Sequence, residues 1–175
     1  MFCCAGDRVV TWGDPYWGGD SSQVQDRLKG VQQVQSNPSA FAAILADGSV
    51  VTWGLPDYGG DSSEVQDQLK GVQQVRATNG AFAAILADGS VVTWGDPDYG
   101  GDSSKVRDQL KGVQHVQSNG SAFAAILADG SVVTWGDPDL GGDSSEVRDQ
   151  LNDVQQVQSN GSAFAAILAD GSVVT

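Results

Sequence analysis

One histidine, one methionine and two cysteines are all that 175 residues offer to imidazole, thioether or thiol chemistry. The histidine, His115, stands in a column otherwise filled by Gln33, Gln74 and Gln156 and reads as a variable strand position. No Ser-His-acid or Cys-His set can be assembled around it, so an enzyme is not expected. Cys3 and Cys4 are adjacent and lie outside the periodic part of the chain, which excludes a disulfide framework. A frayed tail over residues 1–7 is expected there, with a reactive thiol pair as the minor reading. Basic residues are also scarce: nine face 22 acidic ones, for a net charge of −13. That field repels phosphate backbones, so no nucleic-acid partner is expected. The acidity is read first as solubility and second as attraction of a basic partner. Long apolar runs are missing too, so no spanning helix and no membrane partner are expected. The first residues lack the pattern of a signal peptide, and an intracellular (cytoplasmic or nuclear), reducing location is expected.

What the chain does have is repetition. Trp12, Trp53, Trp94 and Trp135 are spaced by 41 residues, and so are the Asp-Gly pairs at 47, 88, 129 and 170. No insertion breaks the phase. A fixed period of this size marks one supersecondary unit copied and stacked on its neighbours. A single repeat domain over 8–175 is expected, with about four units near 12–52, 53–93, 94–134 and 135–175.

Within one copy, Phe41 to Ala46 runs into Asp47-Gly48 and then Ser49 to Trp53. An Asp-Gly pair between two β-favouring runs predicts a two-residue type I′ hairpin. That register sets Leu45 opposite Val50, Ile44 opposite Val51 and Ala42 opposite Trp53. Both faces of the hairpin are then apolar, so it must be sandwiched between neighbours. A Gly- and Pro-rich loop follows over 54–60. Asp61-Ser62-Ser63-Glu64 reads as a capped helix start, with Val65 and Leu69 on one inner face and Gly71 as the stop. Asn152 is expected to take over the left-handed position in the last copy. Val72 to Arg76 predicts a third, more polar strand near an edge. The fold class is mainly β with short helices: tandem 41-residue repeats of hairpin, loop, short helix and third strand.

The Val-x-x-Val strand, the Asp-Gly turn and Val-Val-Thr-Trp-Gly resemble the regulator of chromosome condensation repeat. The compact unit is similar to the superfamily that also holds β-lactamase inhibitor protein II. Val72, Val75, Phe82, Leu86, Asp88, Gly89, Val91, Trp94 and Gly95 carry the resemblance. It implies propeller-like blades, seven in a full ring, whereas this chain supplies about four. Val9-Val10-Thr11 repeats as Val173-Val174-Thr175, which points to an open arc rather than a closed ring. Exposed end blades then predict self-association. The family's Gly-His before the central strand is replaced by Asn79-Gly80-Ala81 and Gly120-Ser121-Ala122, and its Gly-Gln-Leu-Gly loop is replaced as well. The resemblance implies a non-enzymatic protein-interaction scaffold. Its alternatives are a fragment of a larger regulator, either exchanging guanine nucleotide on a small GTPase or binding substrate for a ubiquitin ligase, and an enzyme-inhibitor propeller.

Three patterns are candidate chemistry. Asp96, Asp98 and Asp102 stand at positions one, three and seven of a calcium-like loop, but Arg107 occupies position twelve. They are a weak calcium candidate beside a reading as turn and cap residues. Gly-Gly-Asp-Ser-Ser before the expected helix reads as a cap, since its Asp would repel a phosphate. The loop column Trp17, Tyr58, Tyr99, Leu140 and its neighbour Tyr16, Asp57, Asp98, Asp139 vary on one rim and are the candidate partner-binding strip. No cofactor is expected, and a protein partner is.

Overall fold

A computed structural model describes residues 8–175. The tail expected over 1–7, with Cys3 and Cys4, lies outside them. Among the described residues, twelve strands form four antiparallel three-stranded sheets. The first sheet holds β1 (Val31–Ser36), β2 (Ala40–Leu45) and β3 (Val50–Gly54). The second holds β4 (Val72–Ala77), β5 (Ala81–Leu86) and β6 (Val91–Gly95). The third holds β7 (Val113–Ser118), β8 (Ala122–Leu127) and β9 (Val132–Gly136). The fourth holds β10 (Val154–Ser159), β11 (Phe164–Leu168) and β12 (Val173–Val174). The four sheets are blades in an open arc, as the repeat period and the two-sided apolar hairpins require. Each polar strand lies at a sheet edge. It pairs with the hairpin that follows it, not the one before.

The hairpin register differs from the sequence expectation by one residue. Ile44 faces Val50 and Phe41 faces Trp53. The connection is Ala46-Asp47-Gly48, closed by Gly48 N–H to the Leu45 carbonyl and Leu45 N–H to the Ser49 carbonyl, both at 2.9 Å. Only the glycine takes positive φ, at 77°. This is a type I turn with a left-handed glycine bulge rather than a type I′ turn. The carboxylate of Asp47 decides it by accepting from Ser49 N–H at 2.9 Å and Ser49 Oγ at 2.6 Å, which holds the Asp in ordinary φ space. The faces are accordingly Ala40, Ala42, Ile44 and Val50 on one side and Phe41, Ala43, Val51 and Trp53 on the other.

Each edge strand carries a bulge between its first two paired residues, as between Val72 and Gln74. Residues three apart would normally point to opposite faces. The bulge brings Val72 and Val75 to the same buried face, against Ile44 and Val50 of the preceding blade. It is the structural meaning of Val-x-x-Val.

The segment expected as a two-turn α-helix is a chain of tight turns. Val65, Gln68 and Leu69 each donate three residues back. Asp61 Oδ1 accepts from Ser63 N–H, and Gln66 Nε2 reaches the Val50 carbonyl. Side chains that claim backbone partners, in a stretch too short to propagate, defeat the α-helix. Leu69 is still fully buried between blades, as its spacing predicted. Short helical turns occur in the Pro-rich loops, Pro15–Trp17, Pro56–Tyr58, Pro97–Tyr99 and Pro138–Leu140, and within the expected segment only in the last copy, at Arg148–Gln150. In the last copy the left-handed position belongs to Asp153 (φ 54°), not to Asn152.

Asp153 occupies the backbone region that Gly71 and Gly112 fill at φ 66° in their copies. Replacing it with glycine removes the cost of a non-glycine residue at positive φ. Asp153→Gly is expected to raise stability by about 0.5–1 kcal/mol, read as a higher midpoint in thermal melts. The turn carboxylates Asp47, Asp88, Asp129 and Asp170 are held below the usual carboxylate range, first by the Ser hydroxyl two residues on and then by its backbone N–H. A depressed folded value means that this stabilisation is complete above the unfolded value of about 3.9 and is lost as pH falls through the folded value. Melting midpoints should hold steady from neutrality and fall in the acid range below about pH 4. Asp88→Ala should lie below wild type at neutral pH and converge on it in acid.

Candidate functional site

The loop strip is positioned by the joint between blades. Trp94 stacks on Phe82 with ring centres 5.3 Å apart and donates its indole N–H to the Gly59 carbonyl at 3.1 Å. Gly59 belongs to the loop that leaves the preceding blade. A Cβ on it would lie 2.5 Å from the Phe82 ring, so the loop can seat there only through glycine. Trp53 with Phe41 and Gly18, and Trp135 with Phe123 and Gly100, repeat the arrangement at the same 3.1 Å. The residue just before each seated glycine is therefore presented at the rim, and that residue is Trp17, Tyr58 or Tyr99.

Two further bonds fix the strip. Asp14, Asp96 and Asp137 cap their turns by accepting the N–H two residues on, at 2.9–3.0 Å. The carbonyls of Tyr58, Tyr99 and Leu140 accept from Asn37 Nδ2, Thr78 Oγ1 and Asn119 Nδ2 at 2.7–2.8 Å. Asn37 and Asn119 also accept two N–H groups of their own turns, so one side chain ties the rim loop to the sheet. Sequence reading missed this column, because Asn in a turn looks like ordinary turn chemistry.

The sequence-predicted strip residues fall into separate groups. Tyr58 and Tyr99 are half-buried and lie 6.1 Å apart, tilted by 47°. Gly80 lies against both, and a Cβ there would sit 2.8 Å from the Tyr99 ring. The other copies have Ser39, Ser121 and Ser162 in that column, a difference visible in the sequence but not read as meaningful. Tyr16 and Trp17 are exposed and make their own edge-to-face pair at 5.2 Å. Leu140 is half-buried at the far end, and Asp57, Asp98 and Asp139 are exposed in the same turns, which carry no basic residue.

A cleft of about 720 Å³ opens beside the strip between the first and second blades, lined among others by Asp57, Asp61, Glu64, Asp96, Asp102 and Arg107. Five carboxylates face one guanidinium. Asp102 is held below the usual carboxylate range, first by the backbone N–H of Ser104, then by its hydroxyl, with smaller help from Arg107 and Lys105. The calcium candidates do not converge: Asp96 accepts from Asp98 N–H and Asp102 from Ser104 N–H. Among the described residues, no group of three or more His, Cys, Asp or Glu side chains is placed to hold a metal ion. His115 is exposed on β7 opposite Ile126, apart from the strip. No helix of the described residues is long and apolar enough to cross a membrane.

No protein-family model and no curated protein matches the chain. Solved structures do match. Yeast RCC1 (Prp20) bound to Kap60 shares 16% identity, with a TM-score of 0.59 over 87% of this chain and 44% of that one. Prp20p from Saccharomyces cerevisiae gives 14% and 0.57 over 87% of this chain and 45% of that one. Human WBSCR16 gives 21% and 0.51 over 82% and 46%. The chain thus spans less than half the length of these proteins. At such identities the likeness is one of fold: this is an RCC1-like β-propeller repeat structure.

Burial separates packing from display on the strip. Tyr99→Ala, which strips a ring from Gly80 and Tyr58, is expected to cost about 1–2 kcal/mol of stability. Trp17→Ala, at a side chain 44% exposed, should stay within about 0.5 kcal/mol of wild type. Chemical denaturation of both variants checks the pair.

Proposed function

We propose that the chain is a non-enzymatic protein-interaction scaffold whose loop rim binds a basic protein segment. The observation that carries this reading is the rim itself. It presents the exposed Tyr16 and Trp17 in the first turn, half-buried Tyr58 and Tyr99 in the next two, and an outward Asp57, Asp98 or Asp139 in each later turn, beside a cleft lined by five acidic side chains. Aromatic side chains with a rigid backbone beneath them make good anchors, because little freedom is lost on contact. The net charge of −13 steers cationic partners toward such a surface and repels polyanions. The fold neighbours support a protein partner: the yeast RCC1 structure holds Kap60, and Prp20p was characterised for binding to Gsp1p and histones.

Histones serve as a basic probe. Titration at low salt should show binding that weakens steeply as salt rises. The combination Asp57→Asn, Asp98→Asn and Asp139→Asn should weaken it severalfold. The combination Asp47→Asn, Asp88→Asn and Asp129→Asn removes the same charge from the opposite ends of the sheets and should have little effect. Equal loss from both sets would mean that the rim is not the site and only net charge attracts.

A further inference from the structure

The corner between β4 and β5 is built differently from its counterparts. Where the other copies have Asn37, Asn119 and Asn160, the second copy has Thr78, and its asparagine stands one place on, at Asn79. An asparagine at the first place accepts two backbone N–H groups through one oxygen. Ser121 N–H and Ala122 N–H both reach Asn119 Oδ1 at 2.8 Å. Thr78 Oγ1 accepts only Ala81 N–H, at 3.0 Å. The Gly80 N–H, which matches that of Ser121, finds no acceptor among the described residues, although Gly80 is buried against the Tyr58 and Tyr99 rings. Buried backbone donors without a partner are rare.

The side chain next to that free N–H is free as well. Asn79 is exposed, and among the described residues its carboxamide makes no hydrogen bond. Only its main chain is held, by Asn79 N–H to the Gly120 carbonyl at 2.9 Å. The other asparagines in these corners are restrained. Asn119 is 8% exposed, donates Nδ2 to the Leu140 carbonyl at 2.7 Å, and precedes a glycine whose N–H is engaged by the Gly161 carbonyl at 3.2 Å. Asn160 Oδ1 holds the N–H groups of Ser162 and Ala163. Asn37 precedes Pro38, which has no N–H.

We propose that Asn79-Gly80 is a site of spontaneous deamidation, set up by the exchange of asparagine for threonine at position 78. The Gly80 nitrogen attacks Asn79 Cγ and forms a new C–N bond. The bond from Cγ to Nδ2 breaks, and the Gly80 amide proton leaves with that nitrogen as ammonia. Glycine favours the closure because no side chain obstructs it. Water then opens the cyclic imide. Attack at Cγ leaves aspartate in an ordinary chain. Attack at the Asn79 main-chain carbonyl leaves isoaspartate, in which the backbone runs through Cβ and Cγ and is one carbon longer. Either product adds a negative charge, and the second also lengthens a corner of three residues. That corner carries Thr78, whose hydroxyl donates to the Tyr99 carbonyl at 2.8 Å, and Gly80, which lies against both tyrosines. Conversion at Asn79 therefore loosens the middle of the aromatic strip.

The full chain is incubated in mildly alkaline buffer, and the peptides holding Asn79, Asn119 and Asn160 are followed by mass spectrometry. An isoaspartyl methyltransferase counts the isoaspartate. Asn79 should convert severalfold faster than Asn119 and faster than Asn160. In denaturant the rates at Asn79 and Asn119 should converge, since both precede glycine and only the fold separates them. Thr78→Asn offers Gly80 N–H the acceptor it has in the other corners and should slow conversion at Asn79 severalfold. The melting midpoint of the aged wild type should fall, whereas Asn79→Gly, which carries the residue found at Gly120 and Gly161, should age without loss. Equal rates at Asn79 and Asn119 in the folded chain, or a folded Thr78→Asn variant that converts as fast as wild type, would each overturn the proposal.

Discussion

Everything in this arc hangs on the indole hydrogen bond between a sheet and the loop of the preceding blade. The hairpins are apolar on both faces, so no blade can end the structure by itself. Packing alone would leave such sheets free to slide over one another. The tryptophan removes that freedom. Its ring stacks on a phenylalanine of its own sheet, and its single donor reaches one carbonyl, that of a glycine at φ near 90°. The donor and acceptor lie 35 residues apart, so the bond ties consecutive units rather than stabilising one. Loop and sheet are locked by a contact that admits no side chain on the loop.

Much of this was legible in the sequence, and the misreadings have physical causes. The period, the two-sided apolar hairpins and the left-handed Gly71 follow from residue types alone. The register does not follow from Asp-Gly alone, because a type I′ turn and a type I turn with a glycine bulge both want that pair. What separates them is the next residue. Ser49 gives both its N–H and its hydroxyl to Asp47, and Asp-Gly-Ser recurs in every copy. Val-x-x-Val read as a more polar strand near an edge, and its spacing also encodes a bulge. The capping signal at Asp61 was real, since its carboxylate does hold Ser63 N–H, but it caps a turn.

The candidate site was legible in outline only. The aromatic column was visible because it varies among copies. Its supports were not, because Asn37, Thr78 and Asn119 look like local turn residues yet act on backbone carbonyls 21 residues along the chain. Gly80 shows the same difficulty. A glycine beside turn residues passes for a hinge, whereas here it makes room for two tyrosine rings. The acidic cleft gathers Asp57 and Glu64 with Asp96 and Asp102 from the next copy, a grouping that only stacking creates.

Near-identity of the copies raises a question of self-recognition while the chain is collapsing. An edge strand such as β4 meets several hairpins of almost the same sequence, and little in its side chains tells them apart. The chain between strands does. β4 reaches β5 through a short corner at 78–80, whereas the next hairpin lies a full repeat farther on. Closing a loop longer by roughly four doublings costs about 2 kcal/mol more, at about 0.6 kcal/mol per doubling. Correct pairing is thus enforced by tether length instead of chemical code. That safeguard vanishes between molecules, where no short corner favours one partner over another.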